Sequence, residues 1–221
     1  MFLENTLMTN EQFGWIEIIC GSMFSGKTEE LIRRLNRAKY AKQKIKVFKP
    51  IIDSRFNKDF VFSHDKNQIE SESVSKSSDI KIKAKGYDVI GIDEAQFFDN
   101  EIVKICNDLA NEGIRVIVAG LDMDYKGNPF GPMPNLMAIA EYVTKLHAIC
   151  AKSGNLANHS HRISNDKSLI HLGQKESYMP LSRVEFQKLM QKNKHTKGKP
   201  CISLIFIYQI WSTTINFLKE I

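Results

Sequence analysis

Residues 15–28 read WIEIICGSMFSGKT, and this stretch decides the fold. Residues 15–20 are an apolar, β-branched run of the kind that forms a buried strand. Gly21, Ser22, Met23, Phe24, Ser25, Gly26, Lys27 and Thr28 then complete a G-x-x-x-x-G-K-[ST] pattern. From Thr28 to about residue 42, apolar residues recur at Leu31, Ile32, Leu35 and Ala38, with charges between them. That is a helical stripe. Strand, glycine loop and helix in this order build a phosphate cradle. Small residues let backbone N–H groups turn inward, and the helix N-terminus adds its positive end. Lys27 then reaches the β and γ phosphates, and the Thr28 hydroxyl suits Mg²⁺.

Such a loop needs an acid at the end of a neighbouring strand. Residues 88–98 (DVIGIDEAQFF) supply Asp93 and Glu94 directly after an apolar run. Asp93 is placed to hold hydrated magnesium. Glu94 is then available to take a proton from an attacking hydroxyl or water. The two motifs together imply chemistry on a nucleoside triphosphate, and leave open whether water or a small molecule is the acceptor.

Further strands are expected at 45–48, stopped by Pro50, and at 115–119 (RVIVA). A helix is expected over 100–111, ended by Gly113 at the C′ position. Residues 136–141 read as helix and 142–150 as extended chain. Residues 57–85 are polar, with short strands expected near Phe60 and Phe62. Strands separated by helices predict an α/β fold with a mostly parallel sheet covered on both faces. The expected segments are an extension (1–14), a core (15–149), a small subdomain (150–186), and a basic linker with an apolar tail (187–221).

Composition narrows the classes. The 221 residues are 43% hydrophobic and 25% charged, ordinary globular usage. No stretch reaches about 18 apolar residues, so no membrane span is expected. The first 14 residues have no secretory pattern, which predicts a cytoplasmic protein. Cys20, Cys106, Cys150 and Cys201 are scattered and form no C-x-x-C pair. The net charge is +6, but residues 186–221 hold six Lys and one Glu. The rest of the chain, with 25 basic and 24 acidic residues, is nearly neutral. A nucleic-acid partner would call for positive charge over the folded face, so none is expected.

Five segments in this order resemble the P-loop type of thymidine kinase. They are ICGSMFSGKTEELIRR (19–34), FKPIIDSRF (48–56), IDEAQFF (92–98), VIVAGLDMDYKGNPFGPMP (116–134) and AEYVTKLHAIC (140–150). The resemblance covers about residues 14–182. It implies a RecA-like core, a small zinc-bearing lid and a homotetramer. It also implies transfer of the ATP γ-phosphoryl group to the 5′-hydroxyl of thymidine, with dTTP as feedback inhibitor. By the same resemblance Glu94 is the proton acceptor, Lys27 and Arg55 act on the phosphates, and Asp53 joins Thr28 and Asp93 around magnesium. Ala95 and Gln96 line the ATP side. Met23, Phe97, Leu121, Tyr125, Ser160 and Tyr178 surround the thymidine. A nucleic-acid-directed ATPase and a non-catalytic nucleotide binder are the alternative readings.

The lid departs from the family pattern. Of four usual cysteine positions only Cys150 is kept, with Ser153, Ser182 and Glu185 at the others. Serine is a poor zinc ligand, which argues against structural zinc. His159, His161 and His171 lie in the same segment and could substitute as ligands, but they are read as a set of surface histidines. A lid without metal must fold on packing alone.

Overall fold

A computed structural model of the protein describes residues 13–52, 60–62, 68–163 and 177–197. Asp53, Arg55, His171, Cys201 and the apolar tail lie outside the described residues. The first strand, β1 (Trp15–Gly21), runs into helix α1 (Lys27–Tyr40), and β2 (Ile45–Pro50) follows. After them come β3 (Phe60–Phe62), β4 (Gln68–Glu70), β5 (Glu72–Val74) and α2 (Ser77–Lys83). The second half of the sheet comes from β6 (Val89–Ile92), α3 (Glu101–Asn111), β7 (Arg115–Gly120), α4 (Met133–Ile139) and β8 (Tyr142–Leu146).

Six strands form one sheet in the order β5-β2-β6-β7-β1-β8, and each neighbouring pair is parallel. Helix α1 therefore carries the chain from β1 past β7 and β6 to β2. All six strands end at one edge, so the loops after β1, β6 and β7 meet there. Parallel sheets place ligands outside these carboxyl ends.

Both sheet faces are covered, as the unbroken apolar strands require. On one face Leu31, Ile32, Leu35 and Ala38 of α1 pack on Ile19, Val47, Val89, Ile117 and Ala119. On the other, α2, α3 and α4 bring Ile80, Ile102, Ile105, Leu109 and Leu136 onto Ile16, Ile18, Phe48, Ile90, Ile92 and Val118. Burying each such side chain contributes about 1.5–3 kcal/mol.

One charged cluster lies inside this packing. Glu17, 1% exposed on β1, accepts hydrogen bonds from Arg34 Nη1 (2.7 Å), Arg115 Nε (2.7 Å) and Trp15 Nε1 (2.8 Å). Arg34 also reaches Glu30 at 2.8 Å and the Thr144 hydroxyl at 2.9 Å, tying α1 to the edge strand β8. Burial pushes the Glu17 carboxyl up, but Arg115, Trp15 and Arg34 outweigh it and hold the carboxyl below the usual range. A carboxylate lowered on folding stabilises the protein above its unfolded value and loses that contribution as pH falls through its folded value. Glu17→Gln is therefore expected to be less stable than wild type at pH 7, with the gap closing below about pH 4. Urea midpoints across this range test it, and parallel curves would show that Glu17 plays no such part.

The chain divides into two compact units, Met1–Arg183 and Val184–Ile221. Residues 150–183 belong to the same unit as the sheet, so the chain does not divide where the lid was expected to begin. They hold β9 (Ala148–Ile149) paired with β10 (Leu156–Ala157), and β11 (His159–Arg162) paired with β12 (Tyr178–Leu181), both antiparallel. Ala151 N–H donates to Pro180 O at 3.0 Å and joins the two hairpins. In the second unit, α5 (Arg183–Lys197) runs through most of the stretch expected as linker. Lysine is a good helix former, and a Lys-rich run is no mark of irregular chain.

Candidate active site

The loop between β1 and α1 has three residues in left-handed backbone: Gly21 (φ 141°), Phe24 (φ 64°) and Gly26 (φ 85°). At Gly21 a Cβ would come within 2.2 Å of Leu146 O, so β8 admits no side chain there. Gly26 begins α1 and accepts Glu30 N–H at 3.0 Å. This winding turns the loop's N–H groups inward at a helix N-terminus, the geometry of an anion nest. Ser25 Oγ is buried in the loop with no hydrogen-bond partner among the described residues.

Lys27 is half-buried and its Nζ donates to Ser22 O at 2.7 Å, bridging the loop it belongs to. Burial lowers its ammonium's pKa, while Glu94, Asp93 and Asp122 pull it back up. An ammonium that gives one proton to the loop keeps two for a bound phosphate. Thr28 Oγ1 faces Asp93 Oδ2 at 3.4 Å. Asp93 ends β6 with 7% of its surface exposed, and its N–H donates to Phe48 O at 2.9 Å. A hydroxyl and a carboxylate facing each other at the loop mouth are hard oxygen donors. They fit Mg²⁺, which takes one or two protein oxygens and fills its shell with phosphates and water.

Glu94 follows in left-handed backbone (φ 51°, ψ 40°). A non-glycine residue there costs of order 1–3 kcal/mol, a kind of strain concentrated at functional sites. The turn aims the half-buried carboxylate, and Glu94 Oε2 accepts from Gln96 Nε2 at 2.5 Å. Gln96, 3% exposed, uses its other end to accept Leu121 N–H at 2.9 Å. One amide thus fixes Glu94 to the end of β7. Ala95 is fully buried beneath this turn. Phe97 meets Phe130 edge to face, with centroids 5.8 Å apart.

Two hydrogen bonds join the phosphate loop to the hairpins. Ser22 Oγ donates to Ala157 O at 3.1 Å, and Met23 N–H donates to Ser160 Oγ at 2.9 Å. Ser160, expected as a nucleoside contact, accepts from the phosphate loop. Tyr125 and Tyr178 meet at Arg162. The Arg162 guanidinium lies 3.9 Å from the Tyr125 ring centroid and donates to Tyr178 Oη at 2.8 and 3.1 Å. Ser22, Asp122 and Arg162 were not singled out as side-chain partners by the sequence. Asp122 is buried and paired with Lys145 at 2.6 Å, and its Oδ1 has no hydrogen-bond partner among the described residues.

The cysteine position behaves differently from a metal knuckle. Cys150 is 2% exposed. Burial pushes its thiol up, but the Ser153 hydroxyl and the backbone N–H groups of Ser182, Lys152 and Ser153 outweigh it and bring it to about 6. Serines stand at two of the other usual cysteine positions, Ser153 meeting the sulfur with its hydroxyl and Ser182 with its backbone N–H. Glu185 is paired with Lys188 at 2.7 Å within the second unit. One thiol and two hydroxyls do not make the four thiolate or imidazole donors that zinc requires. Among the described residues no group of three His, Cys, Asp or Glu side chains could hold a metal. Among them, too, no helix is long and apolar enough to cross a membrane.

The thymidine kinase family model matches residues 14–186. A thymidine kinase of Bacteroides fragilis is 53% identical over 195 residues, covering 88% of this chain and 98% of that protein. One from Bacteroides thetaiotaomicron is 55% identical over 83% of this chain and 92% of its own length. A third, from a Rhodothermus strain, is 56% identical over 79% of this chain and 82% of its own. A match across the sheet, the phosphate loop and the paired hairpins, with identity above one half, leaves one conclusion: the chain belongs to the thymidine kinase family.

Proposed function

We propose that the protein transfers the γ-phosphoryl group of ATP to the 5′-hydroxyl of thymidine, giving dTMP and ADP. The observation that carries this reading is the meeting of three elements at one sheet edge. They are the wound phosphate loop, the Thr28–Asp93 pair and a Glu94 carboxylate fixed by Gln96. The relatives are thymidine kinases, which points to thymidine as the acceptor.

In this reading Gly21–Thr28 holds the triphosphate through inward N–H groups, and Lys27 Nζ binds the β and γ oxygens. Thr28 and Asp93, with Asp53, would hold magnesium, which would supply positive charge to offset that of the transferring group. Arg55 binds the same phosphates. Glu94 accepts the proton of the thymidine 5′-hydroxyl as its oxygen bonds to phosphorus and the bond to the ADP oxygen breaks. Met23, Phe97, Leu121, Tyr125, Ser160 and Tyr178 enclose the nucleoside. A homotetramer, cytoplasmic location and inhibition by dTTP are further parts of the proposal, drawn from the family resemblance.

The test is transfer from radiolabelled ATP–Mg²⁺ to thymidine by the full chain, with and without a zinc-selective chelator. Label in dTMP at the same rate in both arms is the expected result. No dTMP in either arm overturns the kinase reading. Loss in the chelator arm alone, with one zinc per chain by metal analysis, overturns the zinc-free lid.

A further inference from the structure

Strand β11 presents Ser160 and Arg162 two residues apart, and side chains two apart in a strand share a face. Each makes a contact outside its own hairpin. Ser160 Oγ accepts Met23 N–H of the phosphate loop at 2.9 Å. Arg162 stacks on Tyr125, which belongs to the loop after β7. The β11–β12 register sets Arg162 directly opposite Tyr178, which brings the Tyr178 hydroxyl to both Nε and Nη2.

We infer that Arg162 is a positioning residue for the nucleoside: it locks the Tyr125 loop and the Tyr178 hairpin into one wall of the acceptor pocket. The inference rests on the proposed placement of Tyr125 and Tyr178 around thymidine. Arg162 is 6% exposed, and a buried cation is costly unless its surroundings compensate it. The two rings and the phenol oxygen contribute that compensation. A flat guanidinium stacks on one ring while its N–H fork reaches the second residue, which an ammonium cannot do. The Tyr178 ring centroid lies 5.3 Å from the guanidinium carbon, so both aromatic rings approach the same cation. Without it, two segments more than thirty residues apart in sequence lose an anchor they share, and the pocket wall is less firmly preset before thymidine arrives. Preorganisation of this kind shows in substrate affinity more than in the chemical step.

The experiment measures thymidine KM, ATP KM, kcat and Tm for Arg162→Met, Arg162→Lys, Tyr178→Phe and the Arg162→Met/Tyr178→Phe pair, with Tyr125→Ala as the pocket control. Arg162→Met is expected to raise thymidine KM by about 10- to 100-fold, with ATP KM little changed. Arg162→Lys should fall between it and wild type. In the pair, Arg162→Met should cost less than it does alone, because its phenol partner is already gone. Thymidine and ATP KM rising together in step with a lowered Tm would reduce Arg162 to a structural role and overturn the inference. So would a thymidine KM within about threefold of wild type, or strict additivity in the pair. If Tyr125→Ala leaves thymidine KM unchanged, the pocket assignment itself fails, and the inference with it. If Tyr125→Ala raises KM and Arg162→Met does not, the failure belongs to Arg162 alone.

Discussion

Glu94→Gln is expected to transfer phosphate about 10²- to 10⁴-fold more slowly than wild type, the usual worth of a positioned general base. On the barrier this is roughly 2.7–5.4 kcal/mol. The substitution is well controlled by the structure. Gln96 cannot turn over, because its Oε1 already accepts Leu121 N–H. Its Nε2 must go on donating, so the amide at position 94 must present its oxygen to Gln96 and its nitrogen to the acceptor side. The hydrogen bond that anchors the turn survives, and only the proton acceptor is lost. Nucleotide affinity, read by calorimetry, should therefore stay near wild type while single-turnover transfer collapses. A transfer rate within about threefold of wild type would remove Glu94 from the mechanism.

This site was legible where chemistry and local pattern coincide. The loop after β1 announces itself because glycines, lysine and threonine must stand at fixed spacing between a strand and a helix. Asp93 and Glu94 are visible because charges ending an apolar strand have no packing reason to be there. The rest depends on contacts distant in sequence. Gln96 bridges to Leu121, and Arg162 to Tyr125, and no local periodicity records either pairing. The bond that the Ser160 hydroxyl accepts from Met23 N–H is likewise invisible to any local pattern.

Among the elements, α1, α3 and the central strands followed from apolar spacing. Helix α2 has only seven residues and two buried side chains, Ser77 and Ile80, too few for a periodic stripe. Helix α4 begins at Met133 after the N-cap Pro132, three residues before the expected start, because Pro134 is well tolerated in the first helical turn. Helix α5 was hidden by its lysines. Charged residues on a helix face and charged residues in a linker have the same composition. Only their pairing, such as Lys188 with Glu185 three residues apart, separates them.

The departure at Cys150 has the opposite character, since the sequence exposes it at once and the structure explains how it is tolerated. A zinc knuckle gathers four ligands around a cation, and its removal normally leaves thiolates facing one another. Here serines stand at two of those positions. The Ser153 hydroxyl and three backbone N–H groups, one of them Ser182's, converge on one sulfur. The hairpins are held by other means: the Ala151–Pro180 hydrogen bond, the two bonds to the phosphate loop, and the Arg162 stack. The hairpins thus lean on the phosphate loop through Ser22 and Met23.

Lys27→Ala is expected to act on the other substrate. The ammonium sits among Glu94, Asp93 and Asp122, and it is the cation of the phosphate loop that faces them. Removing one partner of a desolvated charge contact costs about 2–4 kcal/mol. That is roughly 30- to 700-fold in ATP affinity. The loss should exceed that of a single neutral hydrogen bond, because the carboxylates of Glu94 and Asp93 then face the incoming triphosphate with that ammonium gone. Lys27→Arg should not restore it. The loop closes Lys27 Nζ onto Ser22 O at 2.7 Å, a space for a compact ammonium and not for a planar fork. Thymidine binding without ATP should change little in both variants, because the proposed nucleoside contacts centre on Tyr125, Tyr178 and their neighbours. Calorimetric titration with each substrate separately tests this. Equal losses for ATP and thymidine would mean that Lys27 holds the whole site together. An unchanged ATP affinity would mean that the phosphates bind elsewhere.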